Sequence, residues 1–161
     1  MVKVKSIEQI CVLVKDLDSA VKKYWEILGI GPWTFYTLKA PWLRDATFFG
    51  KPADPEFRVA VAKMDNTQFE LIQPVKGPTI YEDFLKRKGE GLHHIKEVVD
   101  DVPKAAAEYA KMGFKVIQSG KFGVDEFAYL DTESTLGISL ELGNMAAETG
   151  KGLPPPDKTY P

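Results

Sequence analysis

The sequence predicts an α+β fold in which two diverged copies of one strand–helix–strands module face each other across a shared cleft. The first observation behind this prediction is an internal repeat, since residues align at a constant offset of 85 positions, as Ile10 does with Ile95 and Asp16 with Asp101 (95 − 10 = 101 − 16 = 85). The second observation is that each copy carries the signals of a strand and a capped helix in the same order. The third is that polar residues interrupt apolar strands at matching places in the two copies.

Each copy opens with a predicted strand that runs into a predicted helix. Residues 7–14 and 92–99 are short apolar runs with β-branched side chains, which is typical of strands. Asp16 and Asp101 follow these runs, where a carboxylate can accept hydrogen bonds from the free N–H groups of a helix. Apolar residues then recur at helical spacing until a glycine ends each predicted helix, at Gly29 and at Gly113.

The remaining segments complete the two modules. The proline-containing segment 39–56 is predicted to be largely a long loop, and residues 79–88 to be a short amphipathic helix that joins the modules. Further strands are predicted at 33–39, 46–50, 58–64 and 68–73 in the first module, and at 114–121, 126–131 and 137–142 in the second. The predicted organisation is a first module at 1–78, a linker helix at 79–91, a second module at 92–143 and a proline-rich tail at 144–161 with little core-forming content.

Composition narrows the classes of function. The chain has 161 residues and a formal net charge of −2, so it lacks the cationic excess of a nucleic-acid-binding surface. Its longest apolar runs fall short of the ~20 residues that a membrane-spanning helix needs. Cys11 is the single cysteine, which rules out an intrachain disulfide and favours a reducing cytoplasm.

Four polar residues occupy equivalent strand positions in the two modules. Gln9 and His94 lie in the first strands, and Glu70 and Glu141 lie in the last strands. One such glutamate alone is usually solvent-facing, but four matched positions favour convergence on the cleft. Neighbouring residues on a strand point to opposite faces, so of His93 and His94 we expect at most one to enter it. One imidazole, two carboxylates and one amide form an oxygen-rich set suited to a hard or borderline divalent ion.

Sequence motifs resemble those of a known superfamily. The segment GLHHI at 91–95, followed by VVDDV at 98–102, resembles the stretch that opens the second module of methylmalonyl-CoA epimerases. The segments IYEDFLK at 80–86, FELIQP at 69–74 and GISLEL at 137–142 resemble the linker helix and the two last strands of the same proteins. Over residues 7–143 the chain is therefore similar to the vicinal oxygen chelate superfamily, whose paired βαβββ modules form a cup-shaped mixed sheet around a cleft.

The resemblance implies that one divalent metal ion, of Co, Ni, Mn or Zn, is bound by Gln9, Glu70, His94 and Glu141. It also implies that Glu141 is the catalytic base that removes a proton α to a carbonyl group. Gln9 stands where the epimerases usually have histidine, and it is similar to the glutamine of human-type glyoxalase I.

Two further points follow from the resemblance. Lys96 and Glu97 depart from the small or apolar residues that the family commonly has after the motif histidine. A second catalytic acid is expected before the strand at 58–64, where Asp54 and Glu56 are the candidates.

The sequence therefore predicts a metal-dependent, epimerase-like enzyme acting on a small molecule, a 2-substituted acyl thioester such as methylmalonyl-CoA. One alternative is a lactoylglutathione lyase of the glyoxalase I type, which Gln9 favours. Another is a non-catalytic small-molecule-binding protein of the same fold. A homodimer is expected, because such modules leave sheet edges and apolar faces uncovered. The aromatic residues considered for the pocket of such a binding protein are Trp33, Phe35, Tyr36, Trp42, Phe48 and Phe49.

Overall fold

The computed structural model describes residue 4 and residues 6–123, 125–144 and 153–161. In these residues one mixed sheet of eleven strands carries four helices. In chain order the elements are β1 (Ile7–Leu13), α1 (Leu17–Leu28), β2 (Trp33–Leu38), β3 (Leu43–Phe48), β4 (Lys51–Pro52), β5 (Glu56–Lys63), β6 (Gln68–Lys76), α2 (Ile80–Lys88), β7 (Gly91–Val98), α3 (Val102–Ala110), β8 (Val116–Phe122), β9 (Asp125–Leu130), α4 (Glu133–Leu136), β10 (Ser139–Gly143) and β11 (Lys158–Tyr160).

The strand order shows how the two modules join. Across the sheet the order is β11-β2-β5-β6-β1-β7-β10-β9-β8-β3-β4. Each module pairs its first and last strands in parallel, β1 with β6 and β7 with β10, and the two first strands pair antiparallel at the centre. The sheet curls into a half-barrel, and this confirms the predicted α+β fold of two paired modules.

The two module helices begin in the same way. Asp16 accepts a hydrogen bond from the backbone N–H of Ser19, and Asp101 accepts one from that of Lys104. Both carboxylates satisfy N–H groups that the first helical turn leaves free, as predicted. Helix α1 ends at Gly29, whose φ of 67° favours a residue without a Cβ.

The linker helix also forms where it is predicted. The Thr79 hydroxyl accepts a hydrogen bond from the backbone N–H of Glu82 and so caps α2. Tyr81 and Phe84 then point inward and are almost completely buried. They belong to a core cluster that joins the two modules, which also includes Cys11, Leu13, Phe57, Ile72, Phe127 and Tyr129.

The segment 39–56 differs from the predicted long loop. Strands β3 and β4 form a hairpin there, with positive φ angles at Phe49 and Gly50 in its turn. Strand β3 pairs with β8, so the first module extends the sheet of the second. The prolines do not prevent this arrangement, because Pro52 lies in the edge strand β4, where a missing N–H is tolerated.

The described part of the C-terminal segment is also packed, contrary to the prediction of a tail with little core content. Strand β11 pairs with β2, and the backbone N–H of Asp157 donates to the carbonyl of Phe35 at 2.8 Å. Leu153 packs against the core cluster. Residues 145–152 of the predicted tail lie outside the described residues. None of the helices in the described residues is long and apolar enough to span a membrane.

Candidate metal centre

A cleft between the modules contains a cavity of about 120 Å³. Strands of both modules form its wall, because β1 and β7 are adjacent at the centre of the curled sheet. The lining side chains are Gln9, Tyr36, Leu38, Phe57, Val59, Val61, Gln68, Glu70, Ile72, Tyr81, Lys96, Phe122, Asp125, Phe127, Tyr129, Glu141 and Leu153.

The strand register places the predicted ligand positions close together. Cys11 of β1 lies opposite both Glu70 of β6 and His94 of β7. Lys96 of β7 lies opposite both Gln9 of β1 and Glu141 of β10, and those two strands flank it.

An imidazole and two carboxylates meet at this point. The His94 Nε2 atom lies 3.0 Å from Glu141 Oε2 and 3.5 Å from Glu70 Oε2. All three residues are buried, and His94 has no exposed surface. Among the described residues, His94 Nε2 and Glu141 Oε2 have no hydrogen-bond partner of good geometry. Buried polar atoms of this kind are the ones that an additional ligand would satisfy.

Gln9 approaches the same region from β1. It is 8% exposed, and its side-chain nitrogen donates to the Gln68 carbonyl oxygen at 2.5 Å. This bond fixes the amide through its nitrogen and does not use its own carbonyl oxygen, the atom that can bind a cation. The structure therefore brings Gln9, Glu70, His94 and Glu141 to one cleft.

The cleft also contains a buried ion pair that the sequence did not predict as part of a site. The Lys96 ammonium donates to Asp125 Oδ2 at 3.3 Å and lies 3.3 Å from Glu141 Oε1. Lys96 is noticeable in the sequence only as a departure from the family motif. Asp125 has no such signal, because it lies at the start of a strand two residues after Gly123, and aspartate is common beside turns.

These charges set the protonation states in the site. Burial alone would raise the pKa of Glu141, but the neighbouring Lys96 and His94 outweigh burial and lower it to about 2. Burial opposes protonation of His94, but Glu141 and Glu70 raise its pKa above the ordinary value. Burial raises the pKa of Asp125, and Lys96 partly offsets this effect. Glu141 is therefore ionised at neutral pH.

His94 faces the two glutamates and His93 does not, although the pair departs from simple strand alternation. The β1–β7 register changes between Cys11 and Val12, which pair with His94 and Leu92, so His93 lies in a bulge. Both histidines are buried, and their Nδ1 atoms are 2.8 Å apart. The ring of His93 packs against Tyr81 and Phe84, with ring centroids 5.6 and 5.0 Å away, so it lies behind His94.

Other expected site residues lie elsewhere. Asp54 is at the surface in an ion pair with Lys76, with Nζ–Oδ2 at 2.7 Å, and Glu56 lies 3.5 Å from the Lys39 ammonium. Both acids line a separate surface depression. Of the six aromatic residues considered for a pocket, Tyr36 lines the cleft. Trp33 and Phe35 are core residues beneath α1, Trp42 and Phe49 are exposed, and Phe48 packs against the core cluster.

The residues fit a divalent cation. Three carboxyl groups, those of Glu70, Asp125 and Glu141, share the cleft with His94 and Lys96. Buried acidic groups are costly unless cations or hydrogen bonds compensate them, and a divalent ion would provide such compensation. Potential ligand atoms of Glu70, His94 and Cys11 also lie within 4.8 Å of one another. Burial and then Glu70 raise the pKa of the Cys11 thiol, which favours its neutral form.

Comparison with known proteins shows the family of the chain. Residues 8–129 match the profile of the glyoxalase/bleomycin resistance protein/dioxygenase superfamily. No curated protein matches the whole sequence significantly.

Solved structures share the fold at low sequence identity. A methylmalonyl-CoA epimerase variant from Streptomyces coelicolor, in complex with 2-nitronate-propionyl-CoA, is 21% identical with a TM-score of 0.60, and the match covers 89% of this chain and 99% of that one. The epimerase from Mycobacterium tuberculosis is 16% identical with a TM-score of 0.61, covering 93% and 96%. A hypothetical protein from Bacillus halodurans is 18% identical with a TM-score of 0.66, covering 86% and 93%. The profile match extends over most of the chain, which therefore belongs to the glyoxalase/bleomycin resistance protein/dioxygenase superfamily, also called the vicinal oxygen chelate superfamily.

Proposed function

We propose that this chain is a divalent-metal-dependent, epimerase-like enzyme that removes the proton α to the carbonyl of a 2-substituted acyl thioester, such as methylmalonyl-CoA. The observation that carries the proposal is the position of Glu141. Its ionised carboxylate lies on the wall of the cleft, 3.0 Å from His94 Nε2 and 3.3 Å from the Lys96 ammonium. A fixed carboxylate beside cationic groups suits a reaction that moves a proton while negative charge develops on a neighbouring oxygen.

Gln9, Glu70, His94 and Glu141 would hold the ion, which we propose to be Co, Ni, Mn or Zn. Bound there, a divalent ion would supply Lewis-acid stabilisation of the negative charge that forms on a carbonyl oxygen. His93 supports the site from behind, because its Nδ1 contacts that of His94 and restricts the orientation of the imidazole.

Glu141 is proposed to be the proton acceptor. A correctly placed general base typically contributes about 10²–10⁴-fold to the rate. Apolar and aromatic side chains, including Ile72, Phe127 and Tyr129, line the rest of the cleft and limit the access of water to the reacting carbon.

The cavity of the cleft, with a volume of about 120 Å³, is proposed to receive the acyl end of a thioester. The remainder of a coenzyme A molecule would lie outside the cavity. The epimerase that was solved with 2-nitronate-propionyl-CoA supports this class of ligand, at 21% sequence identity.

A lactoylglutathione lyase is the second candidate, and Gln9 is the observation that favours it. Gln9 provides an amide where the epimerases usually have an imidazole, and its bond to Gln68 orients that amide. Both side chains offer one neutral donor atom, so this one position discriminates weakly between the two reactions.

The experiment offers both substrates to the same metal-loaded protein. Racemic methylmalonyl-CoA in deuterated water reports exchange of the α-proton, and the methylglyoxal–glutathione hemithioacetal reports lactoylglutathione formation. We expect exchange on the acyl-CoA and little lactoylglutathione. His94→Ala is the control that should lose both the ion and the exchange.

Other outcomes would redirect the assignment. Lactoylglutathione formation without exchange on the acyl-CoA would favour the lyase. If neither substrate reacts while metal is bound, the epimerase assignment is wrong but a metal site remains. If neither reacts and no metal binds, the chain acts as a small-molecule-binding protein of the same fold.

We also propose that the protein is a cytoplasmic homodimer. The single cysteine fits a reducing compartment. Trp25, Ile27 and Leu28 at the end of α1 are 36%, 76% and 62% exposed, which is a large apolar group for a free surface. A sedimentation mass of two chains at micromolar concentration is expected, and a mass of one chain would contradict the dimer.

A further inference from the structure

We propose that Lys96 is a positioning residue that holds one oxygen of Glu141, leaves the other oxygen to the metal ion, and weakens divalent-ion binding through its positive charge. The inference deepens the proposed function and rests on it for the identity of the site. It begins from the position of Lys96, whose side chain is 9% exposed and whose ammonium lies inside the cleft.

The fold provides space for this lysine. Gly143 on the neighbouring strand β10 lies beside the Lys96 side chain, and a Cβ at Gly143 would sit 2.2 Å from Lys96 Cε. An alanine there would force the lysine to move. Lys96 therefore occupies its position only because residue 143 has no side chain.

The two oxygens of Glu141 face different partners. Oε1 lies 3.3 Å from the Lys96 ammonium, whereas Oε2 lies 3.0 Å from His94 Nε2 and has no hydrogen-bond partner of good geometry among the described residues. Asp125 of β9 accepts a hydrogen bond from the same ammonium at 3.3 Å and so anchors it. With Oε1 held in this way, Glu141 can offer Oε2 alone to an ion beside His94.

The internal repeat allows Lys96 to be compared with the equivalent residue of the first module. Lys96 follows His94 by two positions and Cys11 follows Gln9 by two positions, so Lys96 and Cys11 are equivalent in the two modules (96 − 11 = 85). Cys11 lies against Glu70 as Lys96 lies against Glu141. Of this pair, Lys96 alone carries a full positive charge, and that charge must reduce the attraction of the carboxylates for another cation.

The test compares Lys96→Met with Lys121→Met. Methionine keeps much of the apolar length of lysine and removes the charge. Lys121 is a matched control for the loss of one positive charge, because it is 41% exposed and pairs with Asp45 and Glu126 on the β8 side of the sheet. Calorimetric titration with Co²⁺ measures affinity, and the absorption spectrum of the Co²⁺-loaded protein reports its coordination.

We expect Lys96→Met to bind Co²⁺ about tenfold or more tightly than the wild type, with an altered Co²⁺ spectrum, since removal of a neighbouring like charge strengthens binding and frees Oε1. Lys121→Met should match the wild type in both measurements. Gly143→Ala provides an independent variant that retains the lysine charge but displaces it from Glu141. Because Gly143→Ala also changes the surroundings of Glu141 Oε1, it should alter the Co²⁺ spectrum relative to the wild type, as Lys96→Met does. This second variant keeps the inference testable if Lys96→Met fails to fold.

Unchanged or weaker Co²⁺ binding, with an unchanged spectrum in both Lys96→Met and Gly143→Ala, would overturn the inference and leave the metal site intact. Absence of Co²⁺ binding in the wild type and in every variant would overturn the metal-dependent function as well. Binding that appears only when Lys96 is replaced would support the inference, because it would show that the ammonium competes with the ion.

Discussion

The two modules share a backbone plan but supply different chemistry to the cleft. Their first and last strands pair in parallel in the same way, and their helices begin with the same aspartate cap. The side chains at equivalent positions of the two modules differ in chemical type. The first module contributes Gln9, Cys11 and Glu70, whereas the second contributes His94, Lys96 and Glu141.

The repeated backbone therefore determines where the side chains lie in the cleft, whereas the residue type at each position determines the charge there. The similar backbones of the two modules place Gln9 and Glu70 from the first module in the same cleft as His94 and Glu141 from the second. In the second module a lysine and a histidine flank the glutamate, and their charges lower its pKa to about 2. In the proposed function, the first module would mainly hold the ion, and the second would both hold it and take part in proton transfer.

The largest expected effect concerns the two equivalent glutamates. Glu141→Gln should reduce α-proton exchange by about 10²-fold or more, because it removes the proton acceptor. Glu70→Gln should weaken metal binding yet retain measurable exchange at saturating metal, since Glu70 acts only as a ligand. Exchange is followed by mass spectrometry of the acyl-CoA in deuterated water.

Both variants keep the size and shape of the side chain and remove its charge, so each is a control for the other. Equal losses in the two variants at saturating metal would show that the modules contribute equally. Full exchange in Glu141→Gln would move the base to another residue.

The next largest effect is expected for substitutions of the adjacent histidines, His93 and His94. His94→Ala should abolish metal binding, because Nε2 of His94 lies beside both glutamates. His93→Ala should keep the ion, while the free energy of unfolding falls by about 2–4 kcal/mol from the lost packing against Tyr81 and Phe84. Metal content by elemental analysis and denaturant titration measure the two quantities.

Metal loss in these two variants distinguishes the proposed metal ligand, His94, from His93, which orients its ring. A loss of metal in folded His93→Ala as complete as in His94→Ala would contradict the assignment of His94 as the ligand. A modest loss of affinity in His93→Ala is expected, because the contact between the two Nδ1 atoms orients the ring of His94.

The smallest effect is expected for helix α4, which the described residues of the first module lack at the equivalent place. Helix α4 precedes β10, whereas a bend at Asp65 and Asn66 precedes β6. Glu133 of α4 pairs with Arg87 and Lys88 of the linker helix at 2.8 and 2.6 Å. Hydrogen bonds from Arg87 and Lys88 outweigh partial burial and lower the pKa of Glu133 to about 2.

Because the folded pKa of Glu133 lies below its unfolded value of 4.5, the pairing stabilises the fold above about pH 4.5 and is lost as pH falls towards about 2. Its partners are nearly half exposed, so Glu133→Gln should cost only about 1 kcal/mol at neutral pH and less as the pH falls. Glu26→Gln, which removes an exposed helical pair with Lys22, is the control and should change little. A loss of unfolding free energy in Glu133→Gln, relative to the wild type, that is equal at pH 7 and pH 3 or no larger than the loss in Glu26→Gln would contradict the pairing.

The sequence predicted the features that depend on local signals. Aspartate caps, a closing glycine at Gly29 and strand periodicity gave the helices and the central strands. The repeat predicted two modules that face each other across a shared cleft. These signals work because caps and alternation act over a few residues.

What the sequence did not predict depends on contacts between distant segments. The bulge at His93 follows from register with β1, so simple alternation misplaced that ring. The hairpin of β3 and β4 finds its partner β8 more than 60 residues away, and β11 finds β2 at a similar or greater distance. Lys96 shows a departure from a motif in the sequence, but only the fold places its ammonium between Glu141 and Asp125.

We expect the two modules to combine four side chains around one divalent ion. Anomalous diffraction at the cobalt edge, from crystals grown with Co²⁺, tests this expectation most directly. We expect one peak per chain at about 2.0–2.1 Å from His94 Nε2, the usual distance from a zinc-like ion to an imidazole nitrogen, with Gln9, Glu70 and a single oxygen of Glu141 around it. A fully folded protein whose cleft shows no peak, or whose peak lies away from His94, would contradict it.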